Sequence, residues 1–193
     1  MAIDFNISDI FGSKEDLEYK YDEKNSQVYR DILCKLLNAE EVSNEELEYV
    51  CNFKYEVSSK EELKKIIETY SKKNPSFSLN WIDTFRITDM SELFKYSKYN
   101  GDISEWNVSN VANMASMFAY SKFNGDISEW NVSNVANMAC MFAESQFNGD
   151  ISGWDVSRVD NMAGMFAYSK FNHDISSWKV SNEKLKDYMW GKL

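Results

Sequence analysis

Apolar positions in the C-terminal half of the chain follow two alternating spacings. In Ile103-Ser104-Glu105-Trp106-Asn107-Val108 the first, fourth and sixth residues are apolar, which predicts a short extended segment with Glu105 and Asn107 pointing away from the core. Val111, Met114, Ala115, Met117 and Phe118 then fall three and four apart, the stripe of a helix of two or three turns. Ser109 stands at its N-cap position, and Ser157 with Asp160 completes a capping box in one copy.

The whole pattern recurs at a fixed interval, over Tyr99–Lys122, Phe123–Gln146, Phe147–Lys170 and from Phe171 onward. The first two copies differ only at Tyr99/Phe123, Ser116/Cys140, Tyr120/Glu144 and Lys122/Gln146. Ile87, Met90, Leu93 and Phe94 repeat the offsets of Val111, Met114, Met117 and Phe118, so a degenerate copy begins near Phe77. A fixed period of this size predicts a solenoid, because one unit buries its apolar side only against its neighbours. The expected fold is α/β, a curved right-handed solenoid of about five strand-helix coils over residues 77–181. Curvature follows from spacing: strands stack ~4.8 Å apart and helices ~8 to 10 Å apart, which puts the strands on the inner side.

Residues 1–54 carry no copy and read as a small all-α segment. Ser13-Lys14-Glu15-Asp16 and Ser43-Asn44-Glu45-Glu46 each place a carboxylate three residues after a hydroxyl that can cap a first turn. Leu17 and Tyr21 follow the first start; Val28, Ile32, Leu33, Leu36 and Leu37 make an apolar stripe, and Leu47, Val50 and Phe53 serve the second start. A third start at Ser59 leads into Leu63, Ile66, Ile67 and Tyr70, and Asn74-Pro75 ends it. Residues 55–76 thus form an N-terminal capping helix. In residues 182–193, Glu183 to Trp190 replace the Met-rich stripe and form a C-terminal cap.

The string from Phe123 to Phe142, Phe-Asn-Gly-Asp-Ile-Ser-Glu-Trp-Asn-Val-Ser-Asn-Val-Ala-Asn-Met-Ala-Cys-Met-Phe, resembles the bacterial surface protein repeat family, a BspA-like relative of leucine-rich repeats. The lead-in from Lys60 to Ile67, then Ile82-Asp83-Thr84 and Ile87 to Phe94, is similar to that family's usual start, so the likeness runs from about Tyr55 to Val180. The resemblance implies a leucine-rich-repeat-like scaffold of bacterial or phage origin with no shared catalytic residues. Members commonly carry export signals. Met1 to Asn6 show no basic segment followed by an apolar run, so the expected location is cytoplasmic.

Composition narrows the function classes. At a net charge of −10, direct binding of nucleic acid is not expected, because phosphate neutralisation requires Lys and Arg. No run of about 18 apolar residues is present, so no membrane span is expected. Cys34, Cys51 and Cys140 have neither a metal spacing nor a disulfide framework.

The repeated columns divide into core and surface. Trp106, Trp130, Trp154 and Trp178, with Ile82 in the same place, are expected in the core, as are the columns headed by Met90 and Phe94. Asp102, Asp126, Asp150 and Asp174 fit turn capping better than calcium, since one carboxylate per coil supplies too few ligands. The positions flanking each Trp point outward, giving Trp81, Glu105 and Glu129 on one side and Asp83, Asn107, Asn131 and Asp155 on the other as the first choice for a partner site. The column Tyr96, Tyr120, Glu144, Tyr168 is the second, since Tyr favours interfaces. His173 stands in the repeat turn without a repeated nucleophile, so no catalytic residues, metal or cofactor are assigned. The function expected is a non-enzymatic protein-protein interaction module, an acidic intracellular inhibitor covering a basic or nucleic-acid-binding surface of its target. The alternatives are a cell-surface adhesin and a hydrolase using paired carboxylates such as Asp102 and Glu105.

Overall fold

The computed structural model describes residues 31–38, 40–51 and 54–191. The readings at Ser13, Leu17, Tyr21, Val28 and Phe53 lie outside them. The described elements are α1 (residues 31–37), α2 (Asn44–Cys51), β1 (Tyr55–Glu56), α3 (Lys60–Lys73), β2 (Ile82–Asp83) and α4 (Lys184–Tyr188).

The helix starts carry the expected chemistry. At α2 the Glu46 N–H donates to Ser43 Oγ at 3.1 Å and the Ser43 N–H donates to Glu46 Oε2 at 2.8 Å, a reciprocal capping box. At α3 the Glu62 N–H donates to Ser59 Oγ at 3.2 Å, whereas the Glu62 carboxylate accepts from the N–H and hydroxyl of Ser58. Leu63, Ile66, Ile67 and Tyr70 are buried along α3. The Tyr70 hydroxyl donates to the Leu36 carbonyl at 2.5 Å, tying α3 to the end of α1. Ile32, Leu36 and Val50 share one hydrophobic core with the repeats as far as Met189.

β1 pairs in parallel with β2, Tyr55 opposite Ile82. That seats the N-terminal cap on the first, degenerate copy. Trp81 is fully buried there, with its ring 6.1 Å from that of Tyr55 and 6.4 Å from that of Tyr70.

The copies themselves depart from the expected strand-helix coil. Among the described residues no helix lies between α3 and α4, and the helical stripes are series of turns. Backbone donors alternate along each. Met117, Ala119 and Ser121 donate three residues back within the copy, to Met114, Ser116 and Phe118; Met114, Ser116, Phe118 and Tyr120 donate to Asn137, Ala139, Met141 and Ala143 of the next copy at 2.8–2.9 Å. The same alternation runs from Met90 to Tyr96 and from Met138 to Glu144, and parallel bridges join Asp89, Asn113, Asn137 and Asn161 in turn.

A three- and four-residue apolar spacing fits such turns as well as a helix, so periodicity alone does not separate them. The local reason for turns is polar. Asn113 Oδ1 and Asn137 Oδ1 accept from the N–H two residues on, at Ala115 and Ala139, which competes with a helical N–H bond. Backbone conformation agrees. Glu92, Tyr96, Ser116, Tyr120, Cys140, Glu144, Gly164 and Tyr168 all have positive φ, which lies outside any right-handed helix.

The expected strand is also a turn, closed by the Trp106 N–H to the Ile103 carbonyl at 3.1 Å. Ser157 and Asp160 cap no helix; the Ser157 N–H donates to Asp155 Oδ1 at 3.0 Å. With no helices in the copies, the strand-helix mismatch behind the expected curvature has no counterpart here.

What the periodicity placed in the core is there. Rings of successive copies lie face to face, Phe118 to Phe142 at 5.6 Å and 2°, Phe142 to Phe166 at 5.8 Å and 2°, and Trp106 to Trp130 at 6.5 Å and 3°. Each indole also bonds across copies: the Nε1–H groups of Trp106, Trp130, Trp154 and Trp178 donate to the carbonyls of Leu79, Ile103, Ile127 and Ile151 at 2.9–3.2 Å. Asn100, Asn124 and Asn148 form a further ladder, each Oδ1 accepting from the N–H of the asparagine in the next copy, at Asn124, Asn148 and Asn172. Gly101 is required where the chain turns, since a Cβ would come 2.1 Å from the Phe77 carbonyl oxygen.

At the far end the register continues past α4. Gly164 and Phe166 donate to the carbonyls of Tyr188 and Met189 at 2.9 Å, and Trp190 packs 5.0 Å from Phe166 in the place a further Phe would take.

Candidate interaction surface

The columns expected to face outward are sorted by what the turns do with them. Glu105, Asn107, Glu129, Asn131 and Asp155 are exposed, while Asp83 is half-buried. Trp81 is not a surface residue, because β1 and α3 cover the first copy where later copies leave this position to solvent. Its signal in the sequence was the N-terminal cap itself, which had to sit on the copy beginning near Phe77.

The amides and aspartates of this strip hold its backbone. Asn107 Oδ1 accepts from the N–H and hydroxyl of Ser109, and Asn131 Oδ1 does the same from Ser133. Asp83 Oδ1 accepts from the Phe85 N–H at 2.9 Å. The Asp155 carboxyl is held below the ordinary aspartate range by the Ser157 hydroxyl and N–H, with Arg158 and Lys179 adding to it. Glu105 lies 3.2 Å from Lys54 Nζ. At the equivalent position Gly153 has open space where a side chain would project. One side of the strip is therefore carboxylate-bearing at Glu105 and Glu129 and bare at Gly153, where Asp155 on the other side carries the charge.

Asp102, Asp126, Asp150 and Asp174 each accept from the N–H of the serine two residues on, at 2.9 Å. These are Asx turns. No group of three metal-ligating side chains occurs among the described residues. The His173 ring meets the Asn148 carbonyl at 2.9 Å, continuing the bonding between copies.

The tyrosine column forms a second edge. Tyr96, Tyr120 and Tyr168 are exposed, and the rings of Tyr96 and Tyr120 stack at 4.8 Å and 22°. The Glu144 carboxylate accepts from the Tyr120 hydroxyl and pushes its pKa up.

Sequence reasoning missed a cavity of about 620 Å³ between α3 and the first copy, lined by Lys64, Ile67, Glu68, Ser71, Lys72, Pro75, Leu93, Lys95, Tyr96, Ser97 and Lys98. The available signal was lysine on the exposed side of α3 at Lys64 and Lys72, and at Lys98, whose repeat partners are Lys122 and Lys170. Only the packing of α3 on the first copy brings these together.

Copies joined in register by backbone hydrogen bonds define a repeat protein. Its family is the one described as Mycoplasma protein of unknown function, DUF285: that model matches residues 61–168 and 143–192, and the chain belongs to it. Comparison with curated proteins and with solved structures gives no match. No helix among the described residues is long and apolar enough to cross a membrane.

Proposed function

We propose that this chain is a non-enzymatic protein-binding module, a solenoid-like stack that offers an acidic strip to a basic surface of a partner protein. The observation that carries this reading is register. Glu105, Glu129 and Asp155 are exposed on a backbone whose turns are closed by side chains and whose copies are joined at alternate residues. A display already fixed in this way loses little conformational entropy on binding. Clustered carboxylates favour encounter with a cationic surface and disfavour an anionic one. The sharper form is an intracellular inhibitor of the immunity or anti-defence type, which covers the nucleic-acid-binding surface of its target.

The test is affinity capture from native lysate with the full chain, beside the Glu105→Lys, Glu129→Lys, Asp155→Lys variant. The expected partner has a basic surface, its complex weakens about tenfold or more between low and high salt, and the variant fails to hold it. A salt-insensitive complex, or one the variant forms equally well, sinks the acidic-strip reading. The BspA-like character of Phe123 to Phe142 supports a second reading, a cell-surface adhesin. Fractionation of the native cell separates the two.

A further inference from the structure

The acidic strip leaves unexplained why a chain of net charge −10 gathers four lysines around one cavity. Lys64, Lys72, Lys95 and Lys98 face a single lining carboxylate, Glu68. Lys95 is ion-paired with Glu92, and its ammonium lies 5.7 Å from the centre of the Tyr96 ring. The ammonium groups of Lys72 and Lys98 make no hydrogen bond or ion pair among the described residues, although acidic residues outnumber basic ones by 31 to 21 in the chain. Four lysines against Glu68 and Glu92 leave an excess of positive charge, and an anion seated among them relieves the remaining repulsion.

The rest of the lining is of a different kind. Ile67 and Leu93, both nearly fully buried, and Pro75 supply an apolar floor, and Ser71 and Ser97 supply hydroxyls that bond one another at 2.7 Å. Tyr96 stands at the rim, 68% exposed and backed by Tyr120. Its φ is positive, a conformation that a residue with a side chain adopts at a cost. The companion left-handed column has drifted through Glu92, Ser116, Cys140 and Gly164, whereas this one keeps Tyr in three copies of four. A cavity of this volume, with convergent charge, an apolar floor and an aromatic rim, has the dimensions of a small-molecule site.

We propose that this cavity binds a nucleoside phosphate, with the phosphate groups between Lys72 and Lys98 and the base over the apolar floor beside Tyr96. Lysine serves phosphate as a mobile point charge, and an aromatic face accepts any base. An acidic peptide would use the lysines and leave the floor and Tyr96 idle, so the ring-bearing ligand accounts for more of the lining. The site shares only Tyr96 with the surfaces described above.

The experiment is calorimetric titration of the full chain with ADP, pyrophosphate, adenosine and a glutamate octapeptide, without divalent cations and at ~20 mM salt, where charge is weakly screened. The expected result is an ADP Kd below ~1 mM, with pyrophosphate weaker and adenosine and the peptide not bound. Lys72→Ala with Lys98→Ala weakens ADP about tenfold or more. Tyr96→Asn, which tolerates a left-handed backbone, weakens ADP and leaves pyrophosphate unchanged. Lys122→Ala with Lys170→Ala, outside the cavity, changes neither. Thermal melts of each variant establish that it is folded. Absence of ADP binding at ~2 mM, indifference to the Lys72/Lys98 change, or pyrophosphate or the peptide binding as tightly as ADP overturns the proposal.

Discussion

A residue in the left-handed region is costly unless it is glycine, and each copy places two such positions four apart. The first column contains Glu92, Ser116, Cys140 and, where the requirement is met without strain, Gly164. Ser116, with its positive φ, makes no side-chain hydrogen bond among the described residues. Ser116→Gly is therefore expected to be neutral or to stabilise by up to about 1 kcal/mol, the relief of φ strain being offset by the extra freedom of unfolded glycine. Ser116→Val, with a branched Cβ in the same conformation, is expected to destabilise by more than about 1 kcal/mol. Melting temperatures moving apart by several degrees in these directions would bear this out. Valine tolerated as well as glycine would refute the left-handed assignment.

Between elements, the bonds that matter run from one copy to the next. A buried donor whose partner is removed, or a carbonyl left unpaired, costs about 1–3 kcal/mol. Trp130 donates to the Ile103 carbonyl at 3.2 Å, whereas Trp81, also buried, has no partner for its Nε1–H among the described residues. The Ile103 carbonyl keeps the Trp106 N–H, so Trp130→Phe is expected to lose about 0.5–1.5 kcal/mol, the net worth of one hydrogen bond, beyond the loss from the smaller ring. Trp81→Phe loses only the ring volume and removes an unsatisfied donor. Chemical denaturation of the two variants should rank Trp130→Phe as clearly the worse, and equal losses would deny the indole bond a structural role. The helical stripe from Val111 to Phe118 was legible as a buried face and not as a conformation. Three-residue turns and helical turns both bring every third or fourth side chain back to the core, and the acceptors that tell them apart are carbonyls of the next copy.

For the whole molecule, the aspartate column links stability to pH. The N–H of Ser128 donates to Asp126, backed by the Ser128 hydroxyl, and holds its carboxyl below the ordinary aspartate range; Ser152 does the same for Asp150 and Ser176 for Asp174. A carboxyl depressed on folding contributes stability above the unfolded value, near pH 4, and loses it as the pH falls through the folded one. The variant Asp126→Asn, Asp150→Asn, Asp174→Asn keeps an oxygen that can accept the same bond. It is expected to melt below the unaltered protein at pH 7 and to close the gap as the pH drops below about 4. A gap constant from neutral to strongly acidic pH would show that these carboxylates contribute nothing through their charge.

By itself the sequence determined the period, the identity of the buried columns and the starts of two helices. Those follow from which side chains leave water, and the apolar pattern records that directly: Trp106, Met114 and Phe118 with their repeats are buried, Ser43 and Ser59 cap their helices, and Met189 continues the core while the half-exposed Trp190 packs on Phe166. The tertiary structure decided what apolar pattern does not carry. Turns replaced helices because each copy offers its carbonyls to the previous one, and Trp81 went inside because β1 and α3 cover the copy that bears it. The lysines of α3 and Lys98 share a cavity only because that helix packs where it does, and contact between residues distant in the chain is fixed by packing.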